Sequence, residues 1–156
     1  MRVRSLLFGL LAAAVLVPIS GCRNSSGGSS GKAVVFFSIT RDGEPGGEDL
    51  QRLDMALKLA GFSLDEKRKV VIFFNIRGVH VPTKNFNGEL QYGDKEGDTI
   101  KAQLAKLIER GAEVHVCPIC MGALDVDKED IMKGAQVTTR PKLFANIGGN
   151  TTVFTY

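Results

Sequence analysis

Apolar and polar positions along the chain switch between two periods. Ala33 to Ile39 is apolar apart from Ser38 and rich in β-branched and aromatic residues, as a strand buried on both faces requires. Leu50, Leu53, Leu57 and Ala60 then recur at helical spacing. Glu48 and Asp49 suit the positive end of that helix, and Gly61 suits its C-terminal cap. Val70 to Ile76 predicts the second strand. Ile100, Leu104, Leu107 and Ile108 form the apolar face of a second helix, opened by Asp98 or Thr99 and stopped by Gly111. Val114 to Val116 is a short third strand. Residues 121–134 read as partly helical, with Asp127 to Lys133 the clearest turn and Gly134 its stop. Val137 to Thr139 predicts a fourth strand. Pro141 to Ile147 predicts a short helix with proline at its first position, and Thr151 to Tyr156 a terminal strand.

This alternation predicts an α/β fold with three layers: a mostly parallel sheet of about five strands, covered by helices on both faces. Its crossovers should be right-handed. Ligand sites of such sheets lie beyond the C-terminal ends of the strands. That rule brings Thr40 to Asp42, Arg77 to His80 and Cys117 to Cys120 to one rim. A polar stretch carrying Gly78, Pro82, Gly88 and Gly93 predicts a loop of about 20 residues, a length that often marks function.

A different pattern precedes the domain. Arg2 and Arg4 open the chain, Leu6 to Val17 is an uncharged apolar run, and Ile19-Ser20-Gly21-Cys22 follows. That is the order of a secretory signal peptide, and its end resembles the bacterial lipobox, whose cysteine takes acyl chains such as palmitate and becomes the first residue. The run falls short of the about 20 apolar residues that a comfortable span needs; an uncleaved anchor helix is the alternative. Either reading places the rest of the chain outside the cytoplasm, on the periplasmic face of a membrane, with the outer membrane open as a destination because Arg23 rather than aspartate follows Cys22. Residues 1–21 are thus the leader, 22–32 the acylated cysteine with a Ser/Gly tether, and 33–156 one domain. Residues 23–31 would reach about 17 Å as a flexible coil.

Removing residues 1–21 leaves 135 residues with 18 basic against 17 acidic side chains, a net charge of +1. Nucleic acid is therefore not an expected partner, and no polybasic patch exists for lipid headgroups. With Cys22 acylated, Cys117 and Cys120 remain as an even pair. Cys117-Pro118-Ile119-Cys120 follows a strand directly. The spacing permits a reversible disulfide, a persulfide or thiolate resolved by the second thiol, or half of a metal site. Backbone amides at such a strand end favour a thiolate. An inert buried pair or a structural disulfide is the alternative. For zinc, His115, Cys117, Cys120 and His80 are the conceivable ligands, but no second paired motif is present, and no metal is expected. Arg77, His80 and His115 are placed to support a thiolate, with Arg41 and Lys84 as further cations. Asp125, Asp127, Glu129 and Asp130 do not match a calcium loop. Hydrolase, dinucleotide and phosphate-loop signatures are missing, and no cofactor is expected.

The early strand and helix, Val70-Val71-Ile72-Phe73-Phe74-Asn75, Leu107-Ile108-Glu109-Arg110-Gly111, Val114-His115-Val116-Cys117-Pro118-Ile119-Cys120 and Asp130-Ile131-Met132-Lys133-Gly134-Ala135 together resemble the DsrE/DsrF-like family, which includes sulfur-relay subunits of the TusD kind. The resemblance covers residues 33–156. It implies a compact three-layer domain, a homo-oligomer, and a cysteine after the third strand that carries sulfur as a persulfide. Here that position is Cys117 or Cys120; Cys117 is favoured as the reactive thiol and Cys120 as its resolving partner. The relay proteins are cytoplasmic, so an exported relative would use the chemistry on another sulfur donor or thiol partner, or keep the fold as a non-catalytic binding module. A thioredoxin-like protein is a further alternative, and a cis-proline at Pro141 would support it.

Overall fold

The computed structural model describes residues 33–43, 45, 47–93 and 97–156. The leader, Cys22 and the tether lie outside the described residues. Among the described residues, no helix is long and apolar enough to cross a membrane.

The strands are β1 (Val34–Ile39), β2 (Lys69–Phe74), β3 (Glu113–Val116), β4 (Ala135–Val137) and β5 (Thr151–Thr155). They form one sheet in the order β4-β3-β2-β1-β5, and every neighbouring pair is parallel. The helices are α1 (Glu48–Asp65), α2 (Ile100–Glu109), α3 (Pro118–Ala123) and α4 (Arg140–Phe144). α1 and α2 pack side by side on one face, where Phe37, Ile39, Ile72, Phe74 and Val114 meet Leu53, Leu57, Leu104 and Leu107. Each such buried side chain contributes about 1.5–3 kcal/mol. The opposite strand parity carries Phe36, Val71, Phe73, Glu113 and His115 to the other face. The segment after α4 crosses there, tied by Asn146 Nδ2, which donates to Glu113 Oε2 at 3.1 Å. The expected three-layer α/β fold is the one observed.

Several element ends differ from expectation. Helix α1 runs through Gly61 to Asp65. Gly61 lies within the helix beside the end of α2, and Arg110 Nη2 donates to its carbonyl at 3.2 Å. The stop is Lys67, at φ +57°. Its N–H bonds to Leu64 O at 2.9 Å and that of Arg68 to Ser63 O at 2.9 Å, a Schellman closure without glycine. Gly111, at φ +97°, closes α2 in the same way, as expected. Thr99 opens α2, its hydroxyl accepting from the Ala102 amide at 3.2 Å.

β2 ends at Phe74 rather than Ile76, because Ile76 adopts φ +48° and turns the chain into a short 3₁₀ segment over Ile76–His80. The polar loop that follows buries Val79, Val81, Thr83 and Leu90. Residues 121–134 are helical only in part, as expected, with α3 reaching Ala123 and a 3₁₀ turn within Asp127 to Lys133. Helix α3 begins inside the CxxC motif itself, and only a 3₁₀ turn at Lys128–Asp130 follows. Asp125, at φ +52°, interrupts the run. Gly134 stops no helix: a side chain there would stand 2.4 Å from Ile108 Cγ2, so glycine lets the chain pass α2 into β4. Every described peptide bond is trans, Pro141 included, so the cis-proline that a thioredoxin-like reading looked for is missing.

Candidate functional site

Three segments meet at the C-terminal ends of β1, β2 and β3. The Cys117 amide donates to Phe74 O at 2.9 Å, which continues the β2–β3 ladder by one residue and fixes where the thiol emerges. Cys117 then caps α3. Pro118 occupies the first turn, where a missing N–H costs nothing, and the Cys120 amide donates to Cys117 Sγ at 3.4 Å. Both cysteines are unpaired and half-buried. Beneath them Val79, Val116 and Met121 form a small apolar cluster that anchors α3 against the 3₁₀ segment.

The two sulfurs are not equivalent. Burial pushes the Cys120 thiol up, and the neighbouring Cys117 sulfur pushes it the same way, against smaller opposing contributions from backbone amides. Cys117, at the strand end and with its sulfur accepting the Cys120 amide, is the one placed to attack first. On either side Ile76 and Ile119 present apolar side chains to solvent, 58% and 82% exposed.

The cations expected around the thiols are engaged elsewhere. Arg77 grips Asp42 through two bonds, at 2.9 and 3.3 Å. Arg41 lies 3.7 Å from Asp49. Lys84 Nζ donates to the Glu129 carbonyl. His80 lines a cleft of about 320 Å³ with Asp42, Thr83, Asn85, Phe86 and Leu90, on the same rim. His115 shares the Cys117 side of β3 but is 1% exposed. Its Nδ1 lies 2.9 Å from Thr138 Oγ1, and its Nε2 lies 3.5 Å from Glu113 Oε2. Burial holds its pKa down, against the opposing pull of Glu113. Burial would raise Glu113, but Lys69, whose Nζ is 2.9 Å away, together with His115 and Asn146, outweighs it and keeps the carboxyl below its ordinary range. His115 therefore supports the floor beneath the site rather than a sulfur. Among the described residues no cluster of three metal-ligating side chains forms.

Sequence reasoning missed Asn75 and Ile76. Ile76 turns the chain out of β2 into the 3₁₀ segment that packs against α3, and Asn75 Nδ2 donates to Ser38 Oγ at 3.0 Å while its Oδ1 is buried without a partner. Apolar Ile76 read as one more strand position; only Gly78, two residues on, hinted at a tight turn.

The sequence profile of the DsrE/DsrF-like family matches residues 33–151. The uncharacterised protein MJ0989 of Methanocaldococcus jannaschii is 32% identical over 106 residues, covering 68% of this chain and 88% of that protein. The crystal structure of the ychN protein from E. coli superposes with a TM-score of 0.59 at 18% identity, over 80% of this chain and 99% of the other. The protein of unknown function MTH1491 from Methanobacterium thermoautotrophicum superposes with a TM-score of 0.57 at 14% identity, over 80% and 100%. These two likenesses are likenesses of fold. The profile match spans both cysteines of the rim and all but the end of the sheet, and by it the chain belongs to the DsrE/DsrF-like family.

Proposed function

We propose that this is a membrane-anchored, extracytoplasmic thiol protein that handles sulfane sulfur or exchanges disulfides through Cys117 and Cys120. The observation that carries the reading is the pair itself: two unpaired, half-buried sulfurs at one strand end, the first accepting an amide from the second residue at 3.4 Å. Cys117 as thiolate attacks one sulfur of a disulfide; the S–S bond breaks, and the departing sulfur leaves as a thiolate. Cys120 then gives its proton to water and attacks Cys117 Sγ, expelling the second thiolate and closing a Cys117–Cys120 disulfide. The substrate is reduced by two electrons, the pair is oxidised, and a dithiol partner restores it. With a polysulfide, attack on a terminal sulfane sulfur leaves a persulfide on Cys117 for an acceptor thiol. Neither route calls on a cofactor.

The same reading tethers the domain through acylated Cys22 and has it associate with copies of itself. What supports self-association is the free edge of the sheet at β5, where Val153 and Phe154 are 53% and 41% exposed.

Rapid alkylation and intact mass of natively isolated protein, with a reduction titration, test the thiol chemistry. We expect a persulfide, or a disulfide reduced near or above about −250 mV, with Cys117 alkylating before Cys120 and Cys117→Ser abolishing sulfur transfer. A disulfide that resists reduction below about −300 mV, or thiols that never alkylate, would return the domain to a binding module with a structural pair.

A further inference from the structure

We propose that the cleft beside the thiols binds the part of the substrate that carries no reacting sulfur, and that it selects a short zwitterionic cysteinyl peptide, as its disulfide or persulfide, over inorganic sulfur anions. This rests on the thiol reading above and names the substrate class of its first step.

The cleft encloses about 320 Å³ between the loop after β1 and the long polar loop after β2, the small end of the range for ligand sites. Its walls are set before any ligand arrives. Arg77 bonds to Asp42 at 2.9 and 3.3 Å. Thr83 Oγ1 donates to the His80 carbonyl at 2.7 Å, and the Lys84 amide donates to Asp130 O at 2.7 Å. Thr83 and Leu90 are each only 6% exposed. Long loops in compact domains are often binding loops, and this one is packed into a fixed shape.

One 3₁₀ segment serves as a wall of both sites. Val79 packs with Met121 against the two cysteines; His80, the next residue, lines the cleft. Consecutive side chains of a 3₁₀ helix diverge by about 120°, so a single turn faces both. The register sets the span. Ile39, Phe74 and Val116 stand on one rung of the sheet, and two strand spacings amount to about 10 Å. Cys117 follows Val116, and Asp42 follows Ile39 closely. In a mixed disulfide the substrate's cysteine Cα lies about 4.4–6.8 Å from that of Cys117. One or two further residues, at up to about 3.6 Å each, carry the peptide into the cleft.

Charge selects the class. Among the described residues no lysine or arginine lines the cleft, and its one carboxylate, Asp42, is already matched by Arg77. A thiosulfate or polythionate would give up its water for a site with no free Lys or Arg, and burying an unpaired charge is costly. A zwitterion brings both signs. The His80 ring has no hydrogen bond among the described residues. Asn87 Oδ1 accepts the Glu89 amide at 3.0 Å, which leaves its Nδ2 to donate. These two suit a carboxylate. The Asp42 oxygens have acceptor positions beyond the two that Arg77 takes, and these suit an ammonium. Pro45, Phe86 and Leu90 give the apolar surface between. With the peptide so held, the Cys117 thiolate bonds to the near sulfur of the disulfide, the S–S bond breaks, and the other half leaves as a thiolate with its electron pair. From a persulfide the outer sulfur passes to Cys117, and the peptide leaves as the thiolate.

The test uses the full chain and three probes: cysteinylglycine disulfide, neutral dithiodipyridine and tetrathionate. Adduct formation is followed by rapid quench and intact mass. In the native protein the rate with the peptide disulfide should saturate, and the rates with the other two should rise linearly. Asn87→Asp sets a carboxylate against that of the peptide, and His80→Ala removes a donor. In each, the rate with limiting peptide relative to that with dithiodipyridine should fall about tenfold, the factor that one hydrogen bond to a charged group carries. Linear dependence on the peptide in the native protein, saturation by tetrathionate instead, or an equal fall with both disulfides overturns the assignment. Cys117→Ser should abolish adducts with every probe. A native protein that forms none refutes the thiol pair and the cleft together; one that reacts with dithiodipyridine but does not saturate with the peptide loses the cleft alone.

Discussion

His115 shows how one buried residue couples this fold to pH. Its ring is sealed between β3 and the segment after β4, with Glu113 on one nitrogen, Thr138 on the other, and Lys69 and Lys142 as the nearest positive charges. Burial lowers its pKa from 6.5. Above that value folded and unfolded chains both hold it neutral, and its contribution to stability is complete. As pH falls below 6.5 the unfolded chain takes up the proton first, and stability is lost down through the depressed folded value. Glu113 acts in a lower window: its folded pKa lies under 4.5, so its contribution is present above that and is lost as pH falls through the folded value. Denaturant midpoints measured from about pH 8 to pH 5 should therefore decline in the wild type. In His115→Gln they should start lower and run flat over the same range. A slope that survives the substitution assigns the titration to another group. The chain has only one other histidine, His80, so the comparison is direct.

At the scale of elements, glycines explain both what could be read from the chain and what could not. Gly111 was legible as a helix stop because its role is local: a left-handed residue closes the carbonyls just before it. Gly78 and Gly134 have roles set by partners distant in sequence, namely Ile39 and Ile108. No local pattern reveals such a partner, and so Gly134 read as a cap, as did Gly61, through which α1 simply continues. Lys67 hid the true end of α1 for the opposite reason, being a left-handed position without the residue that usually signals it. The site divided along the same line. The CxxC pair and its strand end were visible as spacing and periodicity, while the Ile76 turn is defined by where β1 seats it. Two substitutions separate the classes. Gly111→Ala meets open space but places a side chain at φ +97°, and should cost about 1–2 kcal/mol of stability with thiol kinetics unchanged. Gly78→Ala drives a Cβ into the Ile39 carbonyl. It should cost about 1–3 kcal/mol and also slow adduct resolution, because the 3₁₀ segment whose Val79 packs against Met121 and the two cysteines must shift. Urea unfolding and stopped-flow thiol release check both, and equal kinetics in the two variants would detach the turn from the chemistry.

At the scale of the whole molecule, a parallel sheet gives the domain two unlike ends. The chain enters at Ala33, beside the N-terminal ends of the strands, and every rim residue described above lies at their C-terminal ends. Six residues of β1 separate the two, about 20 Å at the usual rise of a strand. The strand order that produces this polarity was beyond periodicity, since it depends on β5 returning beside β1; there the Tyr156 carbonyl takes the Thr40 amide at 2.8 Å and the Thr40 hydroxyl at 2.7 Å. If Cys22 is acylated, the tether holds the entry end toward the bilayer and turns the thiol rim away from it, toward soluble partners. The full chain expressed in a bacterium with labelled palmitate should then carry label, lose residues 1–21 by intact mass, and sediment with membranes. Cys22→Ser should abolish the label and leave the leader uncleaved. In membrane vesicles with the protein facing outward, a water-soluble maleimide should modify Cys117 as fast as it does in detergent-solubilised protein. A full-length mass with no label would establish the uncleaved anchor instead. Labelling that is fast only after solubilisation would show that the rim faces the lipid and that the polarity of the sheet does not set the orientation of the tethered domain.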